Sequence, residues 1–355
     1  MVINKEWNNT YNDFNSLKAL VHVKYWDSIK DNIIPPPIFV SIDPMAACNF
    51  NCSFCNASKV IKDNMRLTNT MIDTITNTLK TWDTKAICIG GGGEPLLNNN
   101  VGYMINSIRD IGIDIGVVTN GYLLSKYEAE LSRCKWVGVS IDAGNSTTYS
   151  SIKGVPSQYF TDVLDSMKRF SETKSVATLS YKYLLHPNNF SEVYTAAKLA
   201  KEVGCDYIHF RPGGDPWFDP DRNEFNFTDQ MIDEVRAQLN EARKEFEDGS
   251  FKIFGILHKF TDSWEIKRSF SKCYAGFVTG VFTADGKFGI CCDRRGDNST
   301  TLCSHNKAVE VWGSKEHIDL VNEINVKHCP RCTYSHVNEI FENVIVKDNM
   351  GYYFI

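Results

Sequence analysis

From Pro35 to Pro212 the chain alternates between two hydrophobic rhythms. Short apolar runs rich in β-branched residues fall at Ile38–Ile42, Ala86–Ile89, Ile113–Val118, Trp136–Ile141, Val176–Leu184 and Tyr207–Phe210. They have the character of strands buried on both faces. Between them, apolar positions recur at helical spacing. Ile72, Ile75, Leu79 and Trp82 lie 3, 4 and 3 apart, as do Val193, Ala196, Ala200 and Val203, and Val163, Met167 and Phe170 continue one face. Six successive βα units predict an α/β fold with parallel strands, right-handed crossovers and ligands at the C-terminal strand ends. Before them, residues 10–33 read as a helix (Phe14, Leu17, Val21, Tyr25, Ile29) that stops at Pro35-Pro36-Pro37. After them comes a Gly/Pro/Asp-rich exit from Pro212 to Asp221. Residues 228–246 then read as an amphipathic helix with Thr228 as N-cap and Met231, Val235, Leu239, Ala242 and Phe246 on its apolar face.

Composition narrows the function classes. The 355 residues, 43% hydrophobic, suffice for one large domain and a small one. A net charge of −5 leaves no basic surplus for phosphate backbones, so no nucleic-acid partner is expected. No apolar run approaches a membrane span, and the polar stretch Met1 to Thr10 has no signal-peptide core. Twelve cysteines in such a chain point to a reducing compartment, the cytoplasm, with thiols available as metal ligands.

The chemistry concentrates in Cys48-Asn49-Phe50-Asn51-Cys52-Ser53-Phe54-Cys55, on a loop after the first strand. Three thiols this close cannot all pair as disulfides, and their spacing suits soft ligands to an iron–sulfur cluster. Three thiolates on a four-iron cube leave one iron open for a ligand. A zinc knuckle would need a fourth Cys or His, and none lies between Asp43 and Lys85. Gly90-Gly91-Gly92-Gly93-Glu94-Pro95 follows the second strand and lacks the Gly-Lys-Ser/Thr of a phosphate loop. Thr119-Asn120-Gly121 follows the third, and Ser140-Ile141-Asp142 ends the fourth.

Taken together, the Cys-x3-Cys-x-Phe-Cys loop, the GGEP run and the six βα units resemble the radical S-adenosylmethionine (SAM) superfamily. The resemblance covers residues 36–212 and implies a partial (β/α)6 TIM barrel. It implies a [4Fe–4S] cluster on Cys48, Cys52 and Cys55 whose open iron chelates SAM. The reduced cluster of that family splits SAM to a 5′-deoxyadenosyl radical, which abstracts a substrate hydrogen. It also implies cofactor-binding positions. Gly92, Gly93 and Glu94 would meet the methionine ammonium, Ser140 and Asp142 the ribose side, Lys182 or Arg211 the carboxylate, and Phe54 the adenine. Arg211 is equally a candidate for a substrate anion.

A second set follows at Cys273, Cys291, Cys329 and Cys332. Thr283-Ala284-Asp285-Gly286-Lys287 reads as a hairpin turn that brings Cys273 and Cys291 together, and Cys329-Pro330-Arg331-Cys332 adds a tight pair. The Cys-x12-Gly-x4-Cys spacing resembles the start of the SPASM auxiliary-cluster domain. With no cysteine after Cys332, the shortened "twitch" version with one auxiliary [4Fe–4S] cluster is expected. Cys292 and, more distantly, Cys303 or His305 are alternative ligands, and a zinc ribbon is an alternative site. Cys88, Cys134 and Cys205 read as small buried hydrophobes. The expected organisation is a helical extension over 1–35, a core over 36–225, a linking helix over 226–264 and an auxiliary domain over 265–355.

This reading predicts a radical SAM enzyme of dehydrogenase type, oxidising a small carbohydrate-like molecule and fed by a flavodoxin- or ferredoxin-type donor. The alternative substrate is a peptide, disfavoured because residues 1–36 show no leader-binding pattern. The superfamily's molybdopterin-precursor cyclase ends in a glycine pair, whereas this chain ends Tyr352-Tyr353-Phe354-Ile355, so that activity is not expected. A non-catalytic metal-binding protein is the rival of another class, and it would need no SAM pocket.

Overall fold

The computed structural model describes residues 18, 21–61, 64–219, 224–257, 260, 268–329 and 331–347. Seven strands run parallel, each bonded to the next. They are β1 (Phe39–Ile42), β2 (Ala86–Ile89), β3 (Asp114–Thr119), β4 (Trp136–Ser140), β5 (Thr178–Leu185), β6 (Tyr207–Pro212) and β7 (Lys252–Gly255). The first six lie within two residues of their expected bounds, because runs apolar on both faces have few other places to go.

The rest of the sheet was not expected. β8 (Thr279–Phe282) pairs parallel with β1, and β9 (Lys287–Gly289) and β10 (Thr301–Ser304) continue antiparallel. The full order is β10-β9-β8-β1-β2-β3-β4-β5-β6-β7. The helix expected to link two domains, Asp229–Phe246, is instead the crossover from β6 to β7, and it packs on helix Val193–Glu202. β7 is four residues ending in Gly255, too short to show a period of its own, so its pairing with β6 defines it.

Helix ends follow local chemistry. Thr68 and Thr228 cap helices Asn69–Thr81 and Asp229–Phe246 by accepting from the N–H groups of Met71 and Met231. Ile72, Ile75 and Leu79 are buried as expected, whereas Ile232 rather than Met231 takes the buried place on the later helix. Of residues 10–33, the described part forms a helix over Val23–Lys30, and positions such as Phe14 and Leu17 lie outside the described residues. No helix among the described residues is long and apolar enough to cross a membrane.

The β8–β10 meander is anchored by aromatic packing. Phe282 is fully buried against Phe288, with ring centroids 4.5 Å apart, and against Trp82 of the βα layer at 6.3 Å. Phe282→Ala should cost about 3–5 kcal/mol through lost burial and the cavity left. A fall in the urea midpoint measures it, and an unchanged midpoint would show that the meander contributes nothing to the barrel's stability.

Candidate active site

A loop without regular structure of its own is held by the backbone groups of its neighbours. Asn51 and Ser53 N–H donate to the carbonyls of Lys153 and Ile152 at 3.1 and 2.9 Å. These are orphan acceptors at the end of helix Ser146–Lys153. Gly154 caps that helix at φ +62°, and an added Cβ would lie 2.4 Å from the Asn51 carbonyl oxygen. The base of the loop is closed by Asn98, whose amide donates to Pro44 and Leu67 carbonyls at 2.9 and 3.0 Å.

The glycine run abuts the same loop. Glu94 N–H donates to the Ala47 carbonyl at 2.9 Å. A Cβ on Gly93 would stand 2.4 Å from that oxygen, so the close approach requires glycine. The Glu94 carboxylate is not turned toward a ligand. It accepts from Thr119 Oγ1 at 2.6 Å, Asn120 N–H at 2.7 Å and Leu96 N–H at 3.1 Å. Burial pushes it up to about 7 against those hydrogen bonds. Asn120 then donates to Asn49 Oδ1 at 2.8 Å and lies 4.0 Å from Cys48 Sγ. Glycine run, TNG turn and cysteine loop are thus one hydrogen-bonded unit, and the Gly92 N–H is given to Asp43.

Asp142 is likewise committed. Its left-handed backbone (φ +59°) turns the carboxylate inward to pair with Lys153 and to accept from Leu184 N–H at 2.6 Å. Asn189 donates to its carbonyl at 2.8 Å. Ser140 lies half-buried at the end of β4. The Phe54 ring, 7% exposed, stacks on His186 at 5.8 Å and meets Phe225 edge-on at 6.1 Å, so it is packed core rather than an open platform. Lys182, which the resemblance put near the SAM carboxylate, lies inside the barrel, its ammonium 5.1 Å from the Trp136 ring and 5.8 Å from the Tyr207 ring. Arg211, at the end of β6, faces Cys292, Asp293 and Arg331 of the C-terminal segment as well as Asp142.

Three thiols within eight residues are the donor chemistry an iron–sulfur cluster takes, although among the described residues no three Cys, His, Asp or Glu side chains converge on a single metal ion. None of Cys48, Cys52 and Cys55 is in a disulfide. Burial raises Cys48, and it raises Cys52 to about 11; each thiolate would raise the others further. Lys153 opposes this beside Cys52; burial pulls the lysine down, but Asp142 and Cys52 more than offset it. Thiols that resist ionisation alone but share one space are suited to a cation that binds them as thiolates.

Of the later cysteines, four lie in one another's field. Of the thiols, Cys291 feels Cys292 first, then Cys273 and Cys332, and Cys273 feels Cys329, with burial raising Cys273 to about 11. Cys292 adjoins this group and also meets Arg295, Arg331 and Tyr334. Cys303 lies on β10 near Glu316 and Lys307, and His305 Nδ1 is 3.0 Å from the Gly286 carbonyl. The hairpin turn forms as expected, with Gly286 at φ +77°. Cys134 and Cys205 are buried in the core, but Cys88 is not a plain core thiol: it shares the inner face with Asp43, Lys182, Arg295 and Cys292.

Several residues that organise the site were missed. Asp293 accepts from Thr333 N–H at 2.6 Å, Thr333 Oγ1 at 2.9 Å and Arg331 at 3.0 Å. It thereby holds the CxxC loop, and those partners outweigh burial to keep it well below the usual carboxylate range. Asp43, directly after β1, pairs with Arg295 under the glycine run. Adjacency to Cys292 and to the end of β1 was the only available signal for either. A cavity of about 170 Å³ lies between the segments that flank the cysteine loop and the hairpin, lined in part by Asp43, Met45, Val60, Gly92, Asp285, Cys291 and Arg295.

Comparison with known proteins agrees with this geometry. A family profile described as the radical SAM superfamily matches residues 42–200. A probable GTP 3′,8-cyclase of Pyrobaculum aerophilum is 28% identical over 282 residues, 75% of this chain and 86% of that protein. The counterpart from Saccharolobus solfataricus is 24% identical over 166 residues, and the match spans about half of its length, 53%. Among solved structures, Streptococcus suis SuiB bound to precursor peptide SuiA superposes with a TM-score of 0.65 at 16% identity, covering 90% of this chain and 76% of that one. Histidine-tagged anSMEcpe with bound AdoMet gives 0.62 at 17% identity, covering 86% and 88%. At these identities the structural likeness is one of fold.

Two outcomes follow from the buried charges. Asp142→Asn leaves Lys153 buried without its counter-ion and should cost about 3–5 kcal/mol, while Asp142→Asn with Lys153→Met should cost less than the single change. Denaturant melts of both variants test this; a double variant worse than the single one would refute it. Burial raises Asp43 from its ordinary 3.8 to about 6, although Arg295 and Gly92 pull it down. A folded state that holds the proton more tightly is most favoured below pH 3.8 and loses that stability as pH rises through about 6. In Asp43→Asn this downward slope of the unfolding free energy between pH 4 and 7 should be shallower, the remainder coming from Glu94, which burial also raises; an identical slope would rule out Asp43 as a source.

Proposed function

The chain is a radical SAM enzyme, and from that premise we propose that it oxidises a small, carbohydrate-bearing molecule between two clusters. In this reading Cys48, Cys52 and Cys55 hold the [4Fe–4S] cluster that binds SAM, and Cys273, Cys291, Cys329 and Cys332 hold an auxiliary one. When bound, the cluster and SAM together supply a 5′-deoxyadenosyl radical able to abstract a substrate hydrogen.

The observation that carries the proposal is the shared interior of the barrel. Arg211 lies in the field of Asp142, whose partner Lys153 stands beside Cys52, and also in that of Cys292 and Asp293, which adjoin Cys291. Substrate held there meets both cysteine sets. Residues of the chain supply positioning: Glu94 and Asn120 fix the loop, Lys153 offsets charge at Cys52, and Gly92 and Gly93 present backbone toward an ammonium. Asp293 orients the CxxC loop, and the packed Phe54–His186–Phe225 cluster keeps water from one flank. The segment after 264 serves as the auxiliary domain, and a flavodoxin- or ferredoxin-type protein supplies the electron.

GTP, named for the cyclase relatives, is a nucleotide and their named reaction is a cyclisation, so they support the radical SAM class and not the oxidation of a carbohydrate-like molecule. Peptide modification is the second reading. The cavity beside the hairpin supports it, since its lining of Met45, Val60, Met65 and Ala284 suits apolar side chains.

Reconstituted anaerobically, the protein should carry about eight irons per chain, from two four-iron clusters. With a chemical reductant it should release 5′-deoxyadenosine from SAM. Cys48, Cys52 and Cys55 changed together to Ala should lose about half of the iron and all of that product; continued release would sink the proposal. Cys329→Ala with Cys332→Ala should keep SAM cleavage but lose substrate oxidation, followed by mass spectrometry with sugars, GTP and peptides offered in parallel.

A further inference from the structure

Arg211 ends the inward-facing series Tyr207, His209 and Arg211 on β6. Its Nε is buried and finds no acceptor among the described residues. A structural arginine in such a place normally has its donors matched. Two carboxylates stand in its field, yet neither is available. Asp293 is occupied by Arg331 and Thr333, and Asp142 by Lys153 and Leu184 N–H.

Cys292 also lies in its field, a thiol that burial holds up to about 11, and the remaining neighbours are cations. Arg331, from the loop between Cys329 and Cys332, lies in its field, and a Cβ added to Gly214 just beyond β6 would meet the Arg331 stem at 3.8 Å. One layer deeper, Lys182 pairs in register with His209 while Leu184 pairs with Arg211. Burial first, then the charge of Arg211, pushes Lys182 down to about 8. Burial and Arg331 likewise pull Arg211 down. Like charges gathered over an unmatched guanidinium edge are destabilising unless an anion joins them.

We propose that Arg211, flanked by Arg331 and Lys182, is a subsite for an oxyanion, phosphate or carboxylate, carried by the substrate. This deepens the radical SAM reading and rests on it. The guanidinium fork matches such a group bidentately, and the two flanking cations add charge without competing for the same geometry. The substrate rather than SAM is the anion's source for a reason of placement. The superfamily profile ends at residue 200, whereas Arg211 and Arg331 lie beyond it. Arg331, on the loop of the second cysteine set, places the subsite on the side away from the cysteine loop, and Lys182, inside the matched segment, adds only charge. Arg331 also ties the subsite to the second cysteine set, because Asp293 holds both Arg331 and the CxxC loop.

Calorimetric titration of the reconstituted holoenzyme with inorganic pyrophosphate and, separately, with succinate tests the subsite and separates phosphate from carboxylate. At least one should bind saturably. Arg211→Gln should weaken that binding about tenfold or more, and Arg211→Lys by less, since charge remains but the fork is lost. Arg211→Lys also serves if the Gln variant fails to retain its iron. Absence of binding by both anions, or equal binding to wild type and both variants, overturns the proposal. A loss of SAM affinity as large as the loss of anion affinity also overturns it, by assigning Arg211 to the cofactor. Titration with SAM and release of 5′-deoxyadenosine by the wild type report on the parent reading independently of the anion.

Discussion

Removing an ammonium and a carboxylate from water costs several kcal/mol per ion before their attraction offsets it, and Lys153 and Asp142 are nonetheless almost wholly buried beside Cys52. Much of the site depends on that pair. Lys153 closes the helix whose last carbonyls receive the cysteine loop's N–H groups, so its position sets the height of Cys52. Asp142 turns the end of β4 and, through Leu184 N–H and Asn189, fixes β5 and the loop beyond it. A neutral pair of similar volume would pack as well, but it would not place a positive charge against a thiolate.

The same economy of partners governs the glycine run. Glu94 is buried deeply enough to hold its proton near neutrality, and all its hydrogen bonds go to the TNG turn and its own short helical turn. It braces the loop. Gly93 must be glycine because Ala47 approaches so closely, and the Gly92 N–H is given to Asp43. Motif residues of this run therefore hold the loop still.

Joining the C-terminal meander to β1 has a chemical consequence. Because β8 pairs directly with β1, the segment carrying Cys291 through Arg295 enters the barrel wall. Arg295 reaches Asp43 at the end of β1, and Cys292 reaches the inner face near Cys88. The two cysteine sets are thus coupled through one continuous sheet and two buried ion pairs, Asp43–Arg295 and Asp293–Arg331.

The strands β1 to β6, the capped helix after Thr228, the hairpin at Gly286 and both cysteine sets were legible in the chain alone. Each depends on local rules: period, capping, turn chemistry and ligand spacing. The pairing of β8 with β1 and the role of β7 were not. Neither were the occupied carboxylates of Glu94 and Asp142, the packed ring of Phe54, or the depth of Lys182. All of these depend on partners far away in sequence, such as Asp43 with Arg295 or Arg211 with Arg331. Local pattern determined which residues bear the chemistry. Only the tertiary structure decided which of them have donors and acceptors left to use, because hydrogen bonds and buried charges are satisfied across the fold rather than along the chain.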